Sequence, residues 1–155
     1  MPAARALSHR CRPQSYAKAG SFMTPDPLLL KETRTWFNHA QEDLSAARLL
    51  NSGRAYRAAL FHCQQAAEKA MKGFLTFHQK AFQKTHDLGE LKPPCLTLDP
   101  SLASTLEKAD DLSKYAWQFR YPGAPYEPDE VEATEVLARA EIIVREIQDR
   151  LPLSN

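Results

Sequence analysis

One stretch of the sequence, from about Arg54 to His78, carries apolar residues at alternating intervals of four and three. They are Tyr56, Leu60, Cys63, Ala67, Ala70 or Met71, Phe74 and Phe77. This spacing is typical of an α-helix with one narrow apolar face. Several alanines in the same stretch leave the helix surface thin, so neighbouring helices can approach it closely. The chain is therefore predicted to fold around one long central helix.

The segment before the central helix predicts a second long helix. Asp26 can cap its first turn, and Pro27 suits the first helical position. Apolar residues recur every three or four positions as far as Leu50, and Gly53 suits the left-handed conformation that ends many helices. Because only two or three residues then link it to the central helix, the two helices should pack as antiparallel neighbours.

The second half of the chain predicts three more helical segments. Thr85 is a candidate cap for a short helix that ends before residues 92–94, which include two prolines. A helix is predicted over 100–119, and a last one over 128–151 with Val131 in its apolar face. No segment alternates apolar and polar residues as a strand does. The predicted fold class is therefore all-α, an up-and-down antiparallel bundle of four to five helices over 27–155.

Residues 1–26 lack this periodicity and are rich in arginine, serine, alanine and proline. We expect a disordered N-terminal extension, or an over-extended start with true initiation at Met23. Their arginine-rich, acid-poor composition also resembles that of an organellar transit peptide. The whole chain has 20 basic and 19 acidic residues, and the extension holds four and one of these. Residues 27–155 therefore carry 16 basic and 18 acidic residues, a net charge of −2, which argues against general, charge-driven binding of nucleic acid.

The distribution of apolar residues and cysteines predicts a soluble, cytoplasmic protein. No apolar run approaches the roughly 18 residues that a membrane span needs. The three cysteines are widely separated and typical of a reducing compartment, and Cys63 is predicted to be a small buried hydrophobe. Glycine loops that cradle phosphate and clusters with metal-ligand spacing are missing from the sequence. We therefore predict no cofactor and no metal.

A basic surface is predicted on the polar face of the central helix and just beyond it. Its residues are Arg54, Arg57, Lys69, Lys72, Lys80 and Lys84, against the single acidic residue Glu68. Lys69 and Lys72 lie three residues apart and should share a face. One interpretation is a surface that binds phosphate or an acidic partner. The other, which we favour, is a solvated face partly paired with the acidic last helix.

Two shorter segments are further candidates. In Thr85-His86-Asp87, a histidine beside a carboxylate could act as a general base or contact phosphate. Equally, Thr85 or Asp87 could cap a helix while His86 hydrogen-bonds within the bundle. Between Tyr115 and Tyr121, aromatic residues beside an arginine could stack a base, or they could close the end of the bundle. The rigid loop over 122–125 favours the structural role.

Three segments together resemble the HEPN domain family, the higher eukaryote and prokaryote nucleotide-binding domains, over about residues 30–150. They are residues 61–72, with the run Gln-Gln-Ala-Ala-Glu-Lys-Ala, then 84–88, then 115–123. The resemblance implies an up-and-down bundle of four to five helices that is usually a homodimer. It also implies, as in many small members, pairing with a minimal nucleotidyltransferase, often as a toxin–antitoxin system.

The resemblance also raises the question of whether the chain has the ribonuclease motif of the family. Some family members are metal-independent ribonucleases with an Arg-x4–6-His motif on the last-helix side of the bundle. This chain departs from that pattern, because no histidine follows His86 to pair with Arg120. Two other pairs have the spacing but lie in the first two helices: Arg34 with His39, and Arg57 with His62.

We therefore expect a non-catalytic interaction module that forms a homodimer and binds a nucleotide or a nucleotidyltransferase partner. The residues expected to bind are Lys69, Lys72, Lys84, His86, Asp87, Arg120 and Tyr121. The alternative is a metal-independent ribonuclease toxin that acts on RNA through a non-sequential site. In that site Arg120 would supply charge for the phosphate and His86 would act as acid and base.

Overall fold

The computed structural model describes residues 24–119, 121–123 and 126–153. Its α-helices are α1 (Pro27–Ser52), α2 (Tyr56–Phe77), α3 (Leu88–Leu98), α4 (Ala103–Glu107) and α5 (Glu130–Gln148), with two short 3-10 helices, Pro100–Leu102 and Ser113–Ala116. No β-strand occurs in these ranges, so the predicted all-α bundle is confirmed. None of the helices within them is long and apolar enough to cross a membrane. Most of the predicted N-terminal extension, residues 1–23, lies outside the described residues.

α1 and α2 form the antiparallel pair that the sequence predicts. Asp26 caps α1 by accepting a hydrogen bond at 2.9 Å from the N–H of the second helical residue. A link of three residues then leads into α2. Gly73 of α2 lies so near α1 that an added Cβ would stand 2.8 Å from Phe37 Cε2 and 2.9 Å from Trp36 Cβ. The two helices therefore approach most closely where α2 has no side chain.

α5 runs along α1 in the opposite direction. Three polar pairs set the register: Gln41 with Gln148, Arg48 with Glu141, and Asn51 with Thr134. Asp129 caps α5 by accepting a hydrogen bond at 2.9 Å from the backbone N–H of Glu132. Val131, predicted in the apolar face, is instead 66% exposed. The prediction is wrong because the buried face of α5 begins only at Ala133.

The apolar faces of α1, α2 and α5 meet in one core, which includes two free cysteines. Cys63 is fully buried, as predicted, and so is Cys95 of α3. Burial raises the pKa of each thiol to about 12. Because the thiolate is the reactive form of cysteine, both side chains act as small apolar core residues.

α3 differs from the predicted short helix at both ends. Its cap is Asp87 rather than Thr85, since the Asp87 carboxylate accepts a hydrogen bond at 2.8 Å from the N–H two residues later. The helix then continues through the prolines at 93 and 94 instead of ending before them. Each proline removes a backbone donor, but Leu91 and Cys95, on either side of the two prolines, are buried in the core. This packing holds the helix together where its hydrogen bonds are missing.

The continuous helix predicted over 100–119 is wrong. The segment holds α4, two 3-10 helices and the turns between them. Its apolar residues are buried as their spacing requires, namely Leu102, Leu106, Ala109, Leu112 and Ala116. α4 ends at Glu107, and Asp110 and Asp111, which follow, do not favour its continuation because aspartate is a weak helix former away from a cap. Short helical turns therefore bury the side chains that one long helix was expected to bury.

The residue in the left-handed conformation after α1 is Arg54, with φ of 60°, and not Gly53, whose φ is −81°. The prediction for Gly53 is wrong because its N–H still makes the helical hydrogen bond to Leu49 O. A side chain in the left-handed region costs roughly 1–2 kcal/mol. Arg54→Gly is therefore expected to raise the free energy of unfolding by about 1 kcal/mol in urea denaturation, after the extra chain entropy of glycine is subtracted.

Ala58→Gly is the control for this substitution, because Ala58 is an exposed residue inside α2. Glycine at an ordinary helical position lowers stability by about 1 kcal/mol, so the two variants should shift stability in opposite directions. A loss of stability in Arg54→Gly as large as that in Ala58→Gly would contradict the left-handed conformation of Arg54.

Candidate functional site: a buried carboxylate behind an exposed histidine

A carboxylate lies buried on the polar side of α2. Glu68 is 4% exposed and accepts hydrogen bonds from Lys72 Nζ at 2.7 Å and Gln64 Nε2 at 3.0 Å. Gln65 Nε2 lies 3.4 Å from the same oxygen as Gln64. Lys72 is 7% exposed and is the counter-ion of Glu68. Burial of a charge is tolerated when it is paired and its remaining lone pairs are hydrogen-bonded, and both conditions hold here.

The same α2 side chains hold the loop that leads into α3. Lys72 Nζ donates a second hydrogen bond to Thr85 O at 2.8 Å, and Gln64 Nε2 donates one to His86 O at 3.0 Å. Two successive loop carbonyls thus find their partners on α2. The backbone at His86 is therefore fixed relative to Glu68.

His86 stands over the buried carboxylate. Its Nδ1 lies 3.2 Å from each carboxylate oxygen of Glu68, while its side chain is 62% exposed. A carboxylate can only accept a hydrogen bond, so in the neutral ring Nδ1 carries the proton and Nε2 is left as an acceptor. No described residue hydrogen-bonds to Nε2. The site therefore presents an imidazole of fixed orientation with one nitrogen open to a ligand.

A surface pocket of about 370 Å³ opens beside His86. Its lining residues are Thr85, His86, Asp87, Ser113, Ala116 and Trp117. Ser113 Oγ accepts a hydrogen bond from Leu88 N at 2.9 Å and lies 3.2 Å from Asp87 Oδ1. These two contacts join the 3-10 helix at 113–116 to the start of α3. Trp117 is 65% exposed. Concave surfaces that combine an apolar face with a few fixed polar groups are the usual form of small-molecule sites.

The basic face predicted for α2 is not continuous. Lys72 does not belong to a solvated surface, because the loop before α3 covers it and Glu68 neutralises it. Lys69 instead forms an ion pair with Asp43 of α1, which also lies 2.8 Å from His62 Nδ1. The favoured interpretation, a solvated face partly paired with the acidic last helix, therefore does not hold for these two lysines, whose partners are Asp43 of α1 and Glu68 of α2. Each neutralises a different buried carboxylate.

The other predicted residues divide between the pocket and the outer surface. His86 and Asp87 line the pocket, whereas Lys84 and Tyr121 are exposed side chains that are not among its lining residues. Arg120 lies outside the described residues. Of the predicted set, the structure therefore brings His86 and Asp87 together.

The aromatic segment fits both of its interpretations, residue by residue. Tyr115 and Phe119 stack with 6.0 Å between ring centroids and close the end of the bundle, as the structural interpretation predicts. The Tyr115 hydroxyl donates to Glu132 of α5, and burial raises the pKa of this tyrosine. Trp117 and Tyr121 are exposed, as a stacking surface requires.

The roles of two residues of the site could not be predicted from the sequence. Gln64 is fully buried, although its polarity suggests a surface position. Ser113 belongs to the segment predicted as one continuous helix, where its hydroxyl has no apparent role. Both are recognised only when the loop before α3 and the 3-10 helix are seen to meet α2.

Comparisons with known proteins agree with the fold. The family model described as the HEPN domain matches residues 33–150. The crystal structure of ST0689, an archaeal HEPN homologue, is 32% identical over 76% of this chain and 96% of that chain, with a TM-score of 0.63. TT1696 from Thermus thermophilus is 29% identical over 77% of this chain and 98% of that chain, with a TM-score of 0.66. No curated protein matches the sequence. Because the family model covers most of its length, the chain belongs to the HEPN domain family.

Proposed function

We propose that this HEPN domain is a non-catalytic module that binds a nucleotide in the pocket beside His86. The proposal rests on one observation: the same pocket is lined by an exposed histidine, whose orientation a buried carboxylate fixes, and by the exposed Trp117. An indole face can stack on any nucleobase. The fixed polar groups around it, His86 and Asp87, can then hydrogen-bond the base or the sugar.

The contacts of the possible arginine–histidine pairs favour a non-catalytic module. Arg57 and His62 have the spacing of the ribonuclease motif, but they have different partners. Arg57 pairs with Glu127, which precedes α5, whereas His62 contacts Asp43 of α1. Each side chain is thus already engaged by a carboxylate on a different part of the chain, which favours a structural role for this pair.

Binding can be tested by titrating the protein with AMP and ATP in a calorimeter. His86→Ala and Trp117→Ala are expected to weaken binding, the latter by roughly five- to a hundredfold, since stacking of one base contributes about 1–3 kcal/mol. His39→Ala is the matched control, because His39 is exposed on α1. Unchanged affinity in both pocket variants would disprove the site, and the absence of binding by the unmodified protein would disprove the function.

We propose further that the domain forms a homodimer and pairs with a minimal nucleotidyltransferase, in a toxin–antitoxin-like system. Several large apolar side chains are exposed and available for contacts with a partner, among them Leu28, Leu49 and Val131. The oligomeric state follows from analytical ultracentrifugation, and pairing from copurification with a nucleotidyltransferase encoded beside this chain. A monomer that does not copurify with such an enzyme would contradict this part of the proposal.

A second candidate function, a metal-independent ribonuclease, is favoured by one observation. The contact between His86 Nδ1 and Glu68 is the arrangement that orients a catalytic histidine. If this function is correct, RNA cleavage in EDTA should fall about 10²–10⁴-fold in His86→Ala. Cleavage that persists at full rate in that variant would exclude His86 as its acid or base.

A further inference from the structure

Lys72, the lysine that contacts the loop beside the His86 pocket, is already neutralised by Glu68. Lys72 Nζ contacts Glu68 at 2.7 Å and Thr85 O at 2.8 Å, and it is 7% exposed. No lysine or arginine among the described residues lines the pocket. A phosphate group bound there would meet no lysine or arginine among the described lining residues.

The pocket instead presents acceptors. Asp87 Oδ1 already accepts from Gly89 N, while no described residue donates to its second oxygen. His86 Nδ1 faces Glu68, which leaves Nε2 as an acceptor when the ring is neutral. Ser113 Oγ accepts a hydrogen bond from Leu88 N and donates one to Asp87 Oδ1 at 3.2 Å. The neutral donors at the pocket are the indole N–H of Trp117 and the hydroxyl of Thr85.

From this chemistry we propose that the pocket recognises the nucleoside part of its ligand and makes no contact with phosphate. This inference rests on the proposed nucleotide-binding function and specifies which part of the nucleotide is bound. The base stacks on Trp117, and donors on the ligand, an exocyclic amine and the sugar hydroxyls, meet Asp87 and Nε2 of His86. A phosphate in the same place would face the carboxylate of Asp87 and be repelled. The phosphates of a bound nucleotide therefore project into solvent.

Calorimetric titration with adenosine, AMP, ATP, ribose phosphate and inorganic phosphate separates these possibilities. We expect adenosine to bind at least as tightly as AMP and more tightly than ATP, with little dependence on salt. Ribose phosphate and inorganic phosphate should not bind measurably. Affinity that rises with each added phosphate would overturn the inference and leave the proposed function intact. If neither adenosine nor any nucleotide binds, the proposed function itself fails.

Asp87→Asn tests the acceptor directly, since asparagine is as good a helix cap as aspartate and α3 should remain capped. Loss of the charged acceptor should weaken adenosine binding roughly ten- to a hundredfold, while AMP loses less because the repulsion is relieved. The order of affinity for adenosine and AMP should thus reverse or become equal. Asp99→Asn is the control, because Asp99 caps the 3-10 helix at 100–102 in the same way and does not line the pocket. An equal loss for both ligands would overturn the inference.

Nitrogen NMR of His86 gives a readout that does not depend on binding. In the neutral ring, the proton is expected on Nδ1, with Nε2 bare. Glu68→Gln can donate its amide N–H to Nδ1 and should move the proton to Nε2. If Nε2 carries the proton in the unmodified protein, His86 does not present the acceptor on which the inference depends.

Discussion

Lys72→Met is expected to lower the free energy of unfolding by about 3–5 kcal/mol, a large fraction of the stability of a domain of this size. The substitution leaves Glu68 buried without its counter-ion and Thr85 O without its donor. Methionine fills a similar volume, so the loss reports on charge and hydrogen bonding rather than on a cavity. Urea denaturation followed by circular dichroism measures it.

The control for this prediction is Arg48→Met. Arg48 pairs with Glu141 at the same 2.7 Å, but the two side chains are 50% and 39% exposed, and exposed pairs contribute about 0–1 kcal/mol. The double variant Lys72→Met, Glu68→Leu should cost less than the sum of its single substitutions, because no lone charge remains. Equal losses in Lys72→Met and Arg48→Met would mean that Glu68 and Lys72 are solvated.

Gly73→Val is expected to lower the free energy of unfolding by roughly 3 kcal/mol or more, at the upper end of the cost of overpacking. Its Cβ would stand 2.9 Å from Trp36 Cβ, an atom that cannot move without the backbone of α1. The helices must therefore separate, which loosens the central contact of the core. Gly73→Ala introduces the same Cβ clash, but alanine is about 1 kcal/mol more favourable than glycine inside a helix. Its loss of stability should therefore be smaller than that of Gly73→Val.

Ala58→Val is the control for helix propensity, because this exposed α2 residue meets no such contact and should change stability by less than about 1 kcal/mol. Phe37→Leu combined with Gly73→Ala provides a second test. The smaller side chain removes the ring atoms that lie 2.8 and 3.1 Å from the new Cβ, so the pair should cost less than the sum of its parts. Full stability of Gly73→Val would contradict the close approach of α1 and α2.

The helices whose patterns are local could be predicted from the sequence. The cap Asp26 acts within the first turn of α1, and the apolar period of α2 continues without interruption from Tyr56 to Phe77. Such features depend on residues three or four positions apart, which a sequence displays directly. The all-α fold and the family resemblance follow from them.

The sequence does not show which polar residues are covered by another segment of the chain. Lys72 and Lys69 have the same pattern as solvated lysines, yet each contacts a carboxylate with little exposure to solvent. The burial of Lys72 depends on a loop that returns to α2 more than ten residues later, and Lys69 depends on Asp43 of α1. His86 and Glu68 could each be singled out in the sequence, but the contact between them could not be predicted. Long-range contacts of this kind produce no periodic pattern in the sequence.

The three-residue link between α1 and α2 also bears on the order in which the chain folds. Contacts across a short link close a small loop and form early, whereas α5 joins α1 through pairs 83–107 residues apart, such as Asn51 with Thr134 and Gln41 with Gln148. The α1–α2 hairpin is therefore the natural folding nucleus, and the docking of α5 is a late step. Substitutions at Gly73 should mainly slow folding, while those in α5 should mainly accelerate unfolding.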